Sequence, residues 1–243
     1  MKYLTNNTTN QILYKGKIIY PGEFIILDDK GEINDTGNTG NTGNTGNNNQ
    51  EEITTEYIIT QEDLNKGNKY LKTLTTEHPV CRIADGVKTI DSGVFTSCIN
   101  LTSITIPDSV TSICYNAFSG CTNLKEIIIP DSVEIIGNSA FSNCINLTSI
   151  TIPDSVTYIG DYAFERCTNL ASITIPDSII SIGNNAFYSC INLTSITIPD
   201  SVTSIGNYVF AHCSNLKTIY VGKNFDQTLL KGKIRKKTQI KVK

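Results

Sequence analysis

The sequence predicts an α/β solenoid in which each repeat of 23 residues contributes one short parallel strand and one short helical or 3-10 arc. Three residue types recur at this step, in register with one another. They are the cysteines Cys98, Cys121, Cys144, Cys167, Cys190 and Cys213, the phenylalanines Phe95, Phe118, Phe141, Phe164, Phe187 and Phe210, and the asparagines Asn100, Asn123, Asn146, Asn169, Asn192 and Asn215. A period in this range indicates units that stack on their neighbours, because one unit cannot bury its own apolar face.

The repeat that contains Ile104 shows how one strand is encoded. Ile104 and Ile106 alternate with Ser103 and Thr105, which is typical of a strand with one face buried. Pro107 follows and has no backbone N–H to donate to a sheet, so the strand should end there.

Two features predict how the chain returns to the next strand. Most repeats carry a glycine seven residues after the proline that ends the strand, in the series Gly137, Gly160, Gly183 and Gly206, and this glycine predicts a bend with positive φ. Ala117 and Phe118 then predict a short helical or 3-10 segment on the convex side, which Cys121 closes against the core. Successive coils should place equivalent apolar residues about 4.8 Å apart.

The repeated motif I-x-I-P-x-x-V-x-x-I-G-x-x-A-F-x-x-C-x-N-L resembles the BspA-like class of leucine-rich repeats, from about residue 80 to about residue 221. The resemblance implies a leucine-rich-repeat solenoid. It also implies a non-enzymatic surface protein of bacteria or protists that adheres to host proteins or to other cells. The class has no catalytic residues that could be transferred to this sequence.

The amino-terminal part of the chain is not repetitive in this way. Residues 1–33 predict a small N-terminal β segment with short strands at 12–14, 18–20 and 24–27. Residues 34–50 form a Gly-Asn-Thr linker in which glycine stands at every third position. A flexible polar linker is one interpretation, and a collagen-like triple helix is the other.

Three segments complete the predicted organisation. Residues 51–77 read as a short β/turn connector with strands at 57–60 and 70–71. Residues 78–222 form the solenoid, beginning with a degenerate coil that serves as a cap. Residues 223–243 form a basic C-terminal cap that ends in an edge strand, whose lysines discourage further stacking.

Residues 1–77 also contain two motifs that resemble segments of bacteriophage virion proteins. These are Y-x-G-K-x-I-x-P-G-E-F, which begins at Tyr14, and T-x-E-D-L-x-x-G, which begins at Thr60. The resemblance implies docking to a particle, and it leaves open a homotrimer or a larger assembly through residues 1–77.

Charge is unevenly distributed along the chain. Residues 98–222 carry a net charge of −6, whereas residues 223–243 carry +7, from eight basic side chains and one acidic side chain. An acidic solenoid argues against a nucleic-acid partner, and a basic patch for nucleic acid or membrane remains the alternative for the cap. No apolar run is long enough for a membrane span. The first residues lack the profile of a secretory signal, so either this sequence does not include one or the protein reaches an outer surface by another route.

The residues that could support chemistry have simpler interpretations. The six periodic cysteines predict buried free thiols, since stacked coils orient Cβ atoms poorly for disulfides. The sequence contains no C-x-x-C pair that would indicate a zinc site, and neither His78 nor His212 has a nucleophile paired with it. The aspartates that follow each proline are turn residues, too few per coil for calcium. The sequence therefore predicts no enzyme activity, no metal and no cofactor.

The candidate binding site is the concave face of the sheet, where two columns of side chains should point outward. One column is Thr105, Ile128, Thr151, Thr174, Thr197 and Tyr220, and its neighbour is Ser103, Glu126, Ser149, Ser172, Ser195 and Thr218. The hydroxyl-rich columns suit a host or cell-surface protein or glycan, with Ile128 and Tyr220 as apolar anchors. Alternatively, Ser and Thr are there only because they suit an exposed strand.

The predicted function is that of a non-enzymatic recognition or adhesion protein on a cell surface, outside the cell or on a virion. A bacteriophage fibre or capsid-decoration protein is the first alternative, with its N-terminus on the particle and its repeats on the host. A purely structural repeat protein is the second.

Overall fold

The computed structural model describes residues 56–243 and, before them, the backbone of four short strands. These are β1 (Lys2–Thr5), β2 (Ile12–Tyr14), β3 (Lys17–Ile19) and β4 (Phe24–Leu27). β1 pairs with β4 and β2 pairs with β3, both antiparallel. Three of the four lie where the sequence predicted strands, and β1 was not predicted. The predicted linker, residues 34–50, lies outside the described residues.

Two helices and fifteen strands follow in chain order. They are β5 (Tyr57–Ile59), α1 (Gln61–Asn65), α2 (Asn68–Glu77), β6 (Val80–Ile83), β7 (Thr89–Ile90), β8 (Ser103–Thr105), β9 (Ser112–Ile113), β10 (Glu126–Ile128), β11 (Ile135–Ile136), β12 (Ser149–Thr151), β13 (Tyr158–Ile159), β14 (Ser172–Thr174), β15 (Ser181–Ile182), β16 (Ser195–Ile198), β17 (Ser204–Ile205), β18 (Thr218–Val221) and β19 (Gln239–Val242). A 3-10 helix over Gln227–Leu230 precedes β19.

These strands form two parallel sheets, which confirms the predicted solenoid. The first sheet has nine strands in the order β19-β18-β16-β14-β12-β10-β8-β6-β5. The second has six, in the order β17-β15-β13-β11-β9-β7. Each full coil thus supplies two strands, whereas the sequence predicted one. The second strand is only two residues long, such as Ser112–Ile113, so period-2 alternation cannot reveal it.

The core consists of rows of equivalent side chains from successive coils, called here files, which run along the stack. The rings of the six periodic phenylalanines are stacked in sequence, with centroids 5.1–5.8 Å apart and planes within 2–7° of parallel. Beside them the thiols of Cys121, Cys144, Cys167, Cys190 and Cys213 each donate to the carbonyl of a phenylalanine 26 residues earlier, at 3.0–3.2 Å. Each of these carbonyls also accepts from a cysteine N–H of its own coil, so cysteine fills a small apolar position and adds a second donor that links two coils.

The arc between the second strand and the next coil contains no helix, so the predicted helical or 3-10 segment at Ala117 and Phe118 is wrong. Two positions in each arc have left-handed backbone, with φ between 54° and 73°. One column is Gly93, Asn116, Ser139, Tyr162, Asn185 and Tyr208, and the other is Ser97, Gly120, Asn143, Arg166, Ser189 and His212. A right-handed helix cannot include residues with positive φ, so the arc is a chain of turns.

The hydrogen bonds of the arc explain this geometry. In one coil, the N–H groups of Asn116, Phe118 and Gly120 donate to carbonyls of the next coil at 2.7–3.0 Å. The intervening N–H groups donate within their own coil, as that of Ala117 does to Cys114 at 3.2 Å. A helix would use every N–H inside the coil. With left-handed residues four positions apart, every second N–H of the arc donates to the neighbouring coil, and these hydrogen bonds join the coils of the stack.

The glycines of the series Gly137, Gly160, Gly183 and Gly206 do not have positive φ, so that prediction is wrong. They are needed because neighbouring coils approach closely. A Cβ on Gly137 would lie 2.7 Å from the backbone carbonyl carbon of Cys114, and one on Gly160 would lie 2.8 Å from the backbone nitrogen of Asn138. Any side chain would push the coils apart.

The amino-terminal end of the stack is closed by β5 and α2. β5 pairs in parallel with β6 and extends the nine-stranded sheet. α2 occupies the place where a strand was predicted at 70–71, and that prediction is wrong. Leu71 and Leu74, one helical turn apart, are both buried. The side-chain amide of Asn68 donates to the carbonyls of Val94 and Thr96, at 3.2 and 2.7 Å, and so caps the first arc.

The carboxyl-terminal end is closed by residues 222–243. Phe225 and Leu230 are buried against the last coil. The hydroxyl of Thr238 donates to the carbonyl of Leu216 at 2.9 Å. β19 then pairs in parallel with β18 as the outermost strand of the nine-stranded sheet. It lies where the sequence predicted an edge strand.

Candidate functional site

The structure brings all twelve predicted site residues onto one face of the nine-stranded sheet, called here the outward face. In each central strand the middle residue is buried and its two neighbours point away from the core, as in β12, where Ile150 is buried between Ser149 and Thr151. The strand registers align Thr151 with Ile128 on one side and with Thr174 on the other. Equivalent side chains therefore form straight columns with a spacing of about 4.8 Å.

None of the twelve residues is buried. Thr105, Glu126, Ile128, Ser149, Thr151, Ser172 and Thr174 are exposed, and Ser103, Ser195, Thr197, Thr218 and Tyr220 are half-buried. The same columns continue at both ends, where Arg82 aligns with Thr105 and Lys241 aligns with Tyr220. The outward face thus changes from hydroxyl-rich at its centre to charged at its ends.

The two predicted anchors differ in how accessible they are. Ile128 is 80 % exposed, the highest value for a large apolar side chain among the described residues. Tyr220 is partly covered, because the ammonium of Lys243 lies 5.2 Å from the centre of its ring. Lys243 also donates to the hydroxyl of Thr197 at 3.0 Å. Of the two, Ile128 is the one that a partner can reach without displacing another side chain.

A shallow depression of about 460 Å³ lies at the amino-terminal end of the outward face. Its lining is Glu56, Arg82, Asp85, Thr105, Pro107, Asp108 and Ser109. The guanidinium of Arg82 pairs with the carboxylate of Asp85 at 3.0 Å, and the hydroxyl of Thr105 donates to Glu56 at 2.9 Å. Arg82 was not predicted as a face residue, although its position two residues before Ala84 and next to Ile83 corresponds to that of Thr105 next to Ile106, and the two residues pair in the sheet.

The periodic thiols are buried and unpaired, as the sequence predicted. Burial raises the pKa of Cys98 to about 11 and the pKa values of Cys144 and Cys213 to about 12. These thiols remain protonated near neutral pH, so they are poor nucleophiles. Cys114 is half-buried and does not belong to the file.

The two histidines, the other candidate groups, pack against aromatic rings. His212 packs edge-on against Tyr188 with ring centres 4.9 Å apart, and His78 lies 4.7 Å from the ring of Tyr57. Across the described part of the chain, no three His, Cys, Asp or Glu side chains converge as they would around a metal ion. Neither of the two helices described could cross a bilayer.

Comparisons with known proteins agree with this architecture. The family model described as a BspA type leucine rich repeat region matches residues 88–217, in six copies. None of the curated proteins matches the chain significantly.

Three solved structures are similar to the chain. The leucine-rich repeat protein of T. pallidum is 26 % identical, with a TM-score of 0.54, over 67 % of this chain and 86 % of that one. A leucine-rich cell surface protein of Faecalibacterium prausnitzii is 24 % identical, with a TM-score of 0.42, over 62 % and 61 %. A leucine-rich repeat protein of Bacteroides ovatus is 27 % identical, with a TM-score of 0.41, over 67 % and 51 %. The chain therefore spans less than two thirds of the length of the last two proteins.

Proposed function

We propose, from the premise that this chain belongs to the BspA-type leucine-rich repeat family, that it is a non-enzymatic recognition protein. In this proposal the outward face binds a protein or a glycan on a cell surface, and the chain itself acts outside the cell. The solenoid serves as the rigid support of that face.

One contrast between two sets of hydroxyl groups carries the proposal. The serines that follow each aspartate each donate to a carbonyl of the preceding coil, at 2.5–2.8 Å; they are Ser109, Ser132, Ser155, Ser178 and Ser201. Their hydroxyls are used by the fold. On the outward face, the hydroxyls of Ser149, Thr151, Ser172 and Thr174 are exposed and make no hydrogen bond to any other described group. The fold does not use these hydroxyls, so a polar ligand can use them as donors and acceptors.

The support beneath these hydroxyls is rigid. The strands of the outward face are held by buried isoleucines such as Ile127, Ile150 and Ile173, which pack towards the stacked phenylalanines. A binding surface that is ordered before its partner arrives loses little conformational entropy on binding. The regular spacing of the columns would then favour an extended partner that meets several coils at once.

Ile128 supplies the apolar contact of this surface. It interrupts a column of threonines and stands between Thr105 and Thr151, with Glu126 two residues away on the same face. A β-branched side chain that is largely exposed in the middle of a polar surface is a suitable central anchor, since burying it in a complex removes apolar area from water.

A triple variant tests the assignment to the outward face. Replacing Thr151, Thr174 and Thr197 with Lys adds three long cationic side chains to the proposed contact surface. The matched control places the same three lysines at Thr111, Thr157 and Thr203, which are exposed just before strands of the other sheet. Binding to intact cells and to immobilised host proteins and glycans should weaken at least about tenfold for the first variant only. Equal binding of wild type and both variants to every surface would refute the assignment.

The two alternatives make different predictions. A purely structural role predicts that the wild-type chain binds none of these surfaces. A virion role gains no support from the relatives named above, which are leucine-rich repeat proteins of bacteria. The virion role would be supported if native mass measurement showed that the full chain forms a stable trimer and that this trimer is lost when residues 1–55 are removed.

A further inference from the structure

We propose that the carboxyl-terminal end of the solenoid is a second binding surface, which takes an anionic polysaccharide. The surface is the basic cap, residues 223–243, together with the edge of the last arc. It is separate from the contact centred on Ile128, and it does not depend on that contact.

The first observation is unneutralised charge. The basic cap has eight basic side chains and a single carboxylate, that of Asp226. The ion pairs found among the described residues join Lys66 to Glu62 and Asp63, and Arg82 to Asp85, so none involves the basic cap. Concentrated positive charge without internal partners raises the local potential and attracts anions.

The second observation is that the basic cap is folded rather than a loose tail. Leu230 is almost fully buried, Lys233 donates to the carbonyl of Ile205, and Arg235 donates to the carbonyl of Ser214 at 2.7 Å. These contacts fix the chain between the last coil and β19. Six lysines are exposed on this fixed support: Lys223, Lys231, Lys236, Lys237, Lys241 and Lys243. An anionic ligand would therefore meet charges whose positions are already set.

The third observation concerns the last arc. In earlier coils the N–H groups of the left-handed residues donate to the next coil, as that of Arg166 does to Tyr188 at 2.7 Å. The equivalent N–H groups of Tyr208 and His212 donate to no carbonyl in the part of the chain that the structure describes. Both residues are exposed and face the end that carries the basic cap. An edge that presents unpaired backbone N–H groups, like the edge of a sheet, favours anions.

The chemistry of the surface favours a polysaccharide over other polyanions. Phe225, the single aromatic residue of the basic cap, is buried, so the cap itself offers no ring to stack on nucleic acid bases. Arg235 is the single arginine of the basic cap and already donates one N–H to the carbonyl of Ser214, and the other basic groups are lysines, which bind phosphate as point charges and not as bidentate forks. A bilayer would call for a wider apolar surface than exposed Val242 offers. Separate lysine ammonium groups suit the spaced sulfates or carboxylates of an anionic sugar chain.

The experiment measures binding of the full chain to immobilised heparin, a sulfated polysaccharide, with neutral dextran as the blank. The test variant changes Lys223, Lys231, Lys236 and Lys237 to Gln. The matched control changes Lys69, Lys72, Lys88 and Lys125 to Gln, which removes the same charge from exposed positions elsewhere. We expect the affinity of the test variant to fall at least about tenfold and that of the control to fall less than about threefold. Thermal unfolding by circular dichroism checks that both variants fold.

Three outcomes would overturn the proposal. The first is equal weakening in the two variants, which would mean that only net charge matters. The second is an affinity of the wild type that does not decrease between about 50 and 300 mM salt, because binding through exposed charges is screened. The third is tighter binding to single-stranded DNA or to vesicles containing phosphatidylserine than to heparin. Ile128→Asn should leave heparin binding unchanged, so failure of this proposal and failure of the proposed function can be told apart.

Discussion

The thiol of Cys144 lies 3.2 Å from the carbonyl oxygen of Phe118, to which it donates across the boundary between two coils. Both residues are fully buried. The same contact recurs along the stack, so each coil is joined to the preceding one by a sulfur hydrogen bond next to a pair of stacked rings. The carbonyl of Phe118 also accepts from the N–H of Cys121 in its own coil at 3.2 Å, so the thiol of Cys144 supplies a second donor, which a purely apolar side chain could not.

We expect Cys144→Ala to destabilise the protein by about 1–3 kcal/mol, because it leaves a small cavity and removes a hydrogen bond between two coils. The free energy of unfolding in urea measures the effect. Cys114→Ala is the control, since Cys114 is half-buried and outside the file. Equal losses for the two variants would contradict the role assigned to the hydrogen bond.

Stability should also decline in alkaline solution. Burial raises the pKa of Cys144 from 9.0 to about 12, so the folded state keeps its proton when the unfolded state has begun to lose it. The contribution of this thiol is therefore complete below pH 9 and is lost as pH rises towards 12, at up to about 1.4 kcal/mol for each pH unit. Urea unfolding at pH 7.5, 9 and 10.5 measures the decline. Cys144→Val has no thiol to titrate at this position, so its stability should fall less steeply. Parallel pH profiles would show that this thiol does not contribute.

Gly160→Ala should destabilise the solenoid although its φ is compatible with alanine. The added Cβ would lie 2.8 Å from the backbone of Asn138 and Gly137 in the preceding coil. Overpacking of this kind costs about 1–3 kcal/mol. The exposed substitution Ser172→Ala is the control and should change stability by less than about 0.5 kcal/mol. The midpoint of thermal unfolding distinguishes the two variants, and an unchanged midpoint for Gly160→Ala would contradict the close approach of the coils.

Ile128→Asn should separate binding from stability. Because Ile128 is 80 % exposed, its replacement should change the free energy of unfolding by less than about 0.5 kcal/mol. Binding to the target surface should nevertheless weaken about tenfold or more if Ile128 is the central anchor. The control is Ile180→Asn, since Ile180 is 53 % exposed and lies away from the outward face. A loss of binding in the control alone would place the contact elsewhere on the solenoid.

The residues with left-handed backbone show where sequence patterns are weakest. Asn116 and Asn185 are common choices for positive φ, but Tyr162 and Arg166 are not. Their conformation is imposed by the hydrogen bonds of the arc to the next coil, which no local preference encodes. Positive φ was therefore predicted for the wrong column, and a helix was predicted in the arc. The helix α2 was missed for a related reason, because its role is to close the end of the stack, where Asn68 donates to carbonyls of the first arc.

The sequence by itself determined the period of the solenoid, the residues of its core files and the two outward columns. It could do so because a strand has a side-chain period of two and a stack repeats every inward position at a fixed step. The tertiary structure alone decided the second sheet, the shape of the arc, the need for glycine at the closest approach and the accessibility of Ile128 and Tyr220. Each of these depends on contacts between residues of neighbouring coils, more than twenty positions apart in the chain.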